Sequence, residues 1–140
     1  MSREWAIPWL IIAVIVAFVV GSLNLPLLGR LVTDGVQAQA TIVELTPKIH
    51  NTVRYEYQVG SQKFEGQGRS WRPNPPIDEI HVGQSLVIYY DPSNPSRSVL
   101  GDPKPMLTNE IISVGIAVLL IPTFIVFAIR EKYRKMVQPS

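Results

Sequence analysis

IPWLIIAVIVAFVV, residues 7–20, and IISVGIAVLLIPTFIVFAI, residues 111–129, are the stretches whose reading decides the fold. No charged side chain stands between Trp5 and Gly29 or between Ile111 and Ile129. At about 1.5 Å per residue, an apolar helix of about 19–22 residues spans roughly 30 Å, the thickness of a bilayer's hydrocarbon core. The segment between them, Gln37 to Lys104, is polar and rich in Pro, Gly and Ser. With both stretches removed, about 70 residues remain, enough for one small β domain. The expected architecture is membrane α+β: two transmembrane helices bracketing a small antiparallel β barrel or sandwich. Its divisions fall at residues 1–30 (helix about 6–28), 31–108 (β domain), 109–130 (second helix) and 131–140 (basic tail).

The formal net charge of +2 is unevenly placed. Between Gln37 and Lys104, Lys48, Arg54, Lys63, Arg69, Arg72, Arg97 and Lys104 balance Glu44, Glu56, Glu65, Asp78, Glu79, Asp91 and Asp102. A neutral domain lacks the basic face that nucleic acid requires. There is no Cys, hence no disulfide framework and no thiolate site. The basic excess lies at Arg130, Lys132, Arg134 and Lys135, opposed only by Glu131. Positive charge beside a span marks the cytoplasmic side, so the tail is expected there, and two spans return the N-terminus with Arg3 to the same side. Arg30 is a contrary charge. The β domain is then extracytoplasmic, in a bacterial cytoplasmic (inner) membrane. Trp5, Trp9 and Tyr133 stand where amphipathic rings favour the interface. The first apolar run continues through Leu23, Leu25, Leu27 and Leu28 with no Ala-x-Ala site after it, so it reads as an anchor and not a cleaved signal.

Ala13, Ala17 and Gly21 recur at intervals of four in the first span; Ser113 and Ala117 do so in the second, with Gly115 between them. Small residues at that spacing let helix backbones approach closely. Three outcomes stay open: exposure to lipid, packing of the two spans on each other, and docking onto another membrane protein or a second copy. Pro122 removes a backbone donor inside the second span, which Thr123 or a neighbouring helix would compensate. Neither span carries an interior ionisable group, which argues against a proton or ion pathway.

The strongest strand signal is Thr52 to Val59, where Val53, Tyr55, Tyr57 and Val59 alternate with Arg54, Glu56 and Gln58. Gly60-Ser61 supplies a two-residue hairpin turn, which sets Tyr57 opposite Phe64 and Glu56 opposite Glu65, with Arg54 and Lys63 near enough to relieve the like charges. Further strands are expected at Ala38–Leu45, Ser85–Tyr90 and Arg97–Leu100, the last after a turn running from Asp91 to Pro95. Arg69 to Ile80, with Pro73, Pro75 and Pro76, reads as an irregular extended loop.

The run Gly83-Gln84-Ser85-Leu86-Val87-Ile88-Tyr89-Tyr90-Asp91-Pro92-Ser93-Asn94-Pro95 resembles a bacterial family of unknown function. Its members carry a Gly-Asp/Gln-x-Val-x-Val-x-Tyr-Asp-Pro-x-Asn-Pro signature. The Val53-x-Tyr55-x-Tyr57 strand and Gly60 turn are similar to it as well. The resemblance implies a transmembrane helix on each side of a small β domain and transfers no catalytic residue. Physically the signature is strand plus turn: Gly83 admits a tight bend, Val87 and Tyr89 pack, Asp91-Pro92 opens a turn, and Asn94-Pro95 closes it.

Candidate chemistry is sparse. His50 and His81 are far apart without a metal-binding spacing, and Ser70, Ser85 and Ser98 lack a Gly-x-Ser-x-Gly context. Asp78 and Glu79 beside His81 read as a solvated loop more readily than as a metal site. Arg69, Trp71, Arg72 and Pro73 form the most distinctive cluster: either an exposed recognition knob, or a Trp71 plug at the barrel end with both arginines in water. No catalytic residue, metal or cofactor is expected. The function expected is that of a non-catalytic accessory or scaffold subunit, with the lipid bilayer and other integral membrane proteins or itself as partners. The alternative is an envelope ligand- or lipid-sensing module that uses the Trp71 loop; a membrane-bound hydrolase is a third class with no catalytic set behind it.

Overall fold

A computed structural model describes residues 3–46 and 51–137, with side chains described over 5–46 and 51–136. Lys48, His50 and Ser140 lie outside the described residues. The chain forms two compact units, Met1–Leu25 with Asn109–Ser140, and Pro26–Thr108.

The first unit is made by α1 (Arg3–Asp34) up to Leu25 and by α2 (Pro103–Val137) from Asn109. Their apolar segments, Trp5–Asp34 and Pro103–Met136, are each long and apolar enough to cross a membrane, and only 11% of each most apolar window is buried. Both helices run on past the boundaries drawn from sequence, to Asp34 and back to Pro103. They lie antiparallel. The ring of Trp5 is 6.4 Å from that of Tyr133, Trp9 Nε1 donates to Thr123 Oγ1 at 3.1 Å, and Asn24 Nδ2 donates to Glu110 Oε1 at 3.0 Å. The start of α1 and the end of α2 therefore share one end of this pair. α2 continues through Pro122, whose missing N–H would have served the Val118 carbonyl. Thr123 does not take that role: its hydroxyl donates to the next carbonyl, Leu119 O, at 2.6 Å.

The second unit is a five-stranded antiparallel sheet in the order β3-β2-β1-β4-β5, formed by β1 (Val36–Thr46), β2 (Thr52–Val59), β3 (Gln62–Gly68), β4 (Ser85–Asp91) and β5 (Asn94–Leu100). The sheet curls until β3 and β5 lie against each other, which makes it nearly a closed barrel. The hairpin has the expected register, with Tyr57 opposite Phe64 and Glu56 opposite Glu65. The charge relief is present too: Lys63 meets Glu56, and Arg54 bridges Glu44 at 2.7 Å and Glu65 at 3.4 Å.

Alternate side chains of β1, β2 and β4 point inward as Ala40, Ile42, Val53, Tyr55, Tyr57, Leu86 and Ile88, joined by Ile80 and Leu100. Full burial of an aliphatic or aromatic side chain contributes about 1.5–3 kcal/mol, and Ile42, Val53, Tyr55, Ile88 and Leu100 are all fully buried. A bulge separates Ile42 from Glu44 in β1, leaving Val43 unpaired between them. It shifts the phase of the strand, so that Leu45 packs on the core and Glu44 comes beside Arg54. The sequence carries that phase slip: apolar positions run 36, 38, 40, 42 and then 43 and 45.

Candidate functional site

The signature stretch builds both ends of β4. At its start Gly83 has φ +86°, and its N–H donates to Ile42 O at 2.7 Å, while Ile42 N donates to Gln84 O at 2.9 Å. These bonds tie the bend to β1. At the far end the turn is tighter than the five residues read from sequence. Only Pro92 and Ser93 form it, and Asn94 and Pro95 are already the first residues of β5. Asp91 permits this by acting inside the turn: its Oδ1 accepts from Ser93 N at 2.8 Å and from Ser93 Oγ at 2.6 Å. The side chain is buried, its Oδ2 makes no hydrogen bond, and Arg30 Nη1 stands 3.9 Å from that oxygen. The Ser93 hydroxyl first, then the Ser93 amide, hold the carboxyl below the usual carboxylate range. Asn94 Oδ1 accepts from Ser96 Oγ at 2.6 Å, continuing the local pattern into β5.

The Trp71 loop is held by the backbone. Trp71 N donates to Leu100 O at 3.0 Å and Asp102 N donates to Arg72 O at 2.8 Å, so the loop takes the place of a strand where β5 ends. Gly101, with φ +113°, makes this approach possible, since a Cβ there would stand 2.2 Å from Trp71 O. Trp71 is half-buried and lies outside the core cluster, whereas Ile80 belongs to that cluster and Ile77, in the 3-10 turn at Ile77–Glu79, packs against it. Arg69, Arg72 and Pro73 are exposed, with Arg69 engaged in an interaction of its own.

A residue that sequence reasoning passed over, Asn74, is the pin of this loop. Its Nδ2 donates to Val87 O at 2.7 Å and its Oδ1 accepts from Val87 N at 2.8 Å, satisfying both backbone groups of a β4 residue that β5 does not reach. The signal was an asparagine locked between prolines, Pro73-Asn74-Pro75-Pro76. A hollow of about 610 Å³ beside it is lined by Arg72, Pro73, Asn74, Tyr89, Asp102 and Pro105.

Where β3 and β5 meet there is no ladder. Two phenols from β2 reach across instead: Tyr55 Oη shares a hydrogen bond with Ser98 Oγ at 3.0 Å, and Tyr57 Oη donates to Pro95 O. Burial pushes the Tyr55 phenol up to about 12, against the lowering pull of Ser98, and burial likewise raises Tyr57. Outside this seam lies a groove of about 450 Å³, open to solvent, with Arg54, Glu65 and Gln67 on one wall and Ser96 and Arg97 on the other.

A comparison with protein families matches residues 36–105, half of the 140-residue chain, to DUF3592, a domain of unknown function. The chain belongs to the DUF3592 family. The match starts at the first residue of β1 and ends in the first turn of α2, so it covers all five strands of the sheet. No curated protein and no solved structure matches the chain.

Outside the DUF3592 match, the small residues of the two spans are placed differently from one another. In α1, Ala13 and Gly21 are buried and Ala17 is half-buried. In α2, Ser113 and Gly115 are exposed and Ala117 is half-buried. Of the titratable candidates, His81, Asp78 and Glu79 are exposed, and among the described residues no three His, Cys, Asp or Glu side chains gather closely enough to hold a metal ion. Ser70 is spent on a structural bond, donating to Pro75 O at 2.7 Å.

Proposed function

We propose that this DUF3592 protein is a non-catalytic integral membrane protein that serves as an accessory or scaffold subunit of a larger membrane assembly. The observation that carries this reading is the contrast between the helices. Ala13 and Gly21 of α1 are covered, whereas Ser113 and Gly115 of α2 are not, and a Cβ built at Gly115 meets nothing within 4 Å. A bare small residue on an apolar helix suits the close approach of another helix, because van der Waals contact there exceeds what lipid provides. Ser113 and Gly115, two positions apart in α2, offer this on two different faces. Photo-crosslinking residues placed at Ser113 or Gly115, followed by gentle-detergent purification, should trap one recurring membrane protein. The same residue at exposed Phe124 should give lipid adducts. Purification of this chain alone from both sets of positions would overturn the reading.

A second reading has its own support. The hollow beside Arg72, Pro73 and Tyr89 gives the Trp71 loop a concave neighbour, as a ligand-sensing module would need. Under this reading Trp71→Ala with Arg72→Ala abolishes recognition of an envelope component while the melting temperature stays near that of the parent.

A further inference from the structure

At the shared end of α1 and α2 the two helices do not close on each other. They leave a cleft of about 270 Å³, lined by Trp5 and Trp9 from α1 and by Thr123, Val126, Phe127 and Arg130 from α2. Its walls are held in place. Trp9 is fixed by its hydrogen bond to Thr123, whose own hydroxyl is anchored on Leu119 O, and Trp5 is braced against Tyr133. Val126 is buried at 7% exposure and forms the floor. The cleft is thus mostly apolar and aromatic, with the exposed Arg130 as the single cation among its lining residues.

That cation is placed at the end of the uncharged run of α2, where a membrane's headgroup layer begins. Among the described residues Arg130 makes no ion pair, and the neighbouring acid, Glu131, is held by Arg134 at 2.9 Å. Beyond it, Lys132, Arg134 and Lys135 add further positive charge. An apolar slot that opens onto a guanidinium complements one molecule class with an acyl chain and an anionic phosphate on the same backbone. A guanidinium grips a phosphate through paired N–H donors, and indole rings favour the depth where chain meets headgroup.

We propose that this cleft is a binding site for one anionic phospholipid, with its phosphate on Arg130 and the upper part of an acyl chain against Trp5, Trp9 and Phe127. The proposal rests on α1 and α2 being membrane spans, and it adds a ligand to a region for which the accessory-subunit reading has no use.

The test is tryptophan quenching in a Trp71→Phe background, which leaves Trp5 and Trp9 as the reporters. The full chain is reconstituted with brominated-chain phosphatidylglycerol or brominated-chain phosphatidylcholine at equal mole fraction. Phosphatidylglycerol should associate about fivefold more strongly, the worth of one cationic side chain near an anionic surface. Arg130→Gln should reduce that ratio to about one, and Arg130→Lys should restore part of it. Equal quenching by the two lipids in the parent overturns the proposal. So does a preference that survives Arg130→Gln and disappears only when Lys132, Arg134 and Lys135 are neutralised, which would assign it to the tail as a diffuse charge. Full competition by inorganic phosphate would identify a phosphate site with no role for the chain. No quenching by either lipid would instead remove the spanning helices themselves, and the proposed function with them.

Discussion

A methyl group at position 66 would stand 2.4 Å from the Tyr55 ring, because β3 passes Gly66 directly opposite Tyr55 and the ring lies across the glycine. Tyr55 is fully buried and hydrogen-bonded, so it has nowhere to go. Gly66→Ala should therefore destabilise the domain by about 1–3 kcal/mol, the range for overpacking a filled site. Gly68→Ala, in the same strand with open space around its Cβ, should cost far less; denaturant midpoints of the two variants check this. The Tyr55 phenol also sets a pH limit. Its folded pKa of about 12 exceeds the ordinary 10.0, so the folded state holds its proton more tightly than the unfolded state does. The associated stability is complete below pH 10 and is lost as pH rises toward 12, by roughly 2–3 kcal/mol for a shift of this size. Melting curves between pH 8 and 12 should show this fall, and Tyr55→Phe should flatten it while lowering stability at neutral pH by about 1 kcal/mol for the lost Ser98 bond.

Among the elements, β4 shows how a loop can stand in for a strand. Val87 would have both backbone groups unpaired on the side where β5 has ended, and Asn74 supplies a donor and an acceptor in one side chain. Asn74→Ala leaves a buried N–H and C=O without partners and should cost about 2 kcal/mol or more. Asn74→Asp keeps the acceptor but turns an oxygen toward Val87 O, so its stability should improve on acidification, when the carboxyl becomes a donor. Thermal melts of both variants at two pH values separate these outcomes. The residues that made the fold legible were those with a strict period. Val53, Tyr55 and Tyr57 on one face and Arg54, Glu56 and Gln58 on the other gave β2 its ends and its hairpin register. What was not legible was set by partners distant in sequence. The turn after Asp91 closes in two residues because the two Ser93 bonds to Asp91 tighten it, which the run of turn-forming residues to Pro95 does not reveal. Trp71 drew attention by size and charge context, yet Asn74, a smaller residue three positions on, fixes the loop. In the spans, composition announced the helices, whereas which small residues are covered depends on where the other helix lies.

At the level of the whole molecule, the cytoplasmic placement of the basic tail is a reading from charge, and it has a direct test. A periplasm-active reporter inserted within residues 73–76 should be active and one fused at Ser140 inactive; the opposite pattern reverses the topology. The β unit has a further consequence of its own. Its sheet is a scroll whose edges, β3 and β5, meet without strand pairing, and the side-chain bonds across the seam run from Tyr55 and Tyr57 of β2 to β5. Two side-chain bonds at about 0.5–1.5 kcal/mol each are a far smaller barrier than any of the four ladders. Deuterium should thus enter the amides of β3 and β5 by partial unrolling, long before it reaches β1, which is flanked by partners on both sides. Tyr57→Phe should widen that gap in exchange rate without altering the order in which the strands label. A protein built this way breathes along one line, and that line is where a visiting strand would find free backbone.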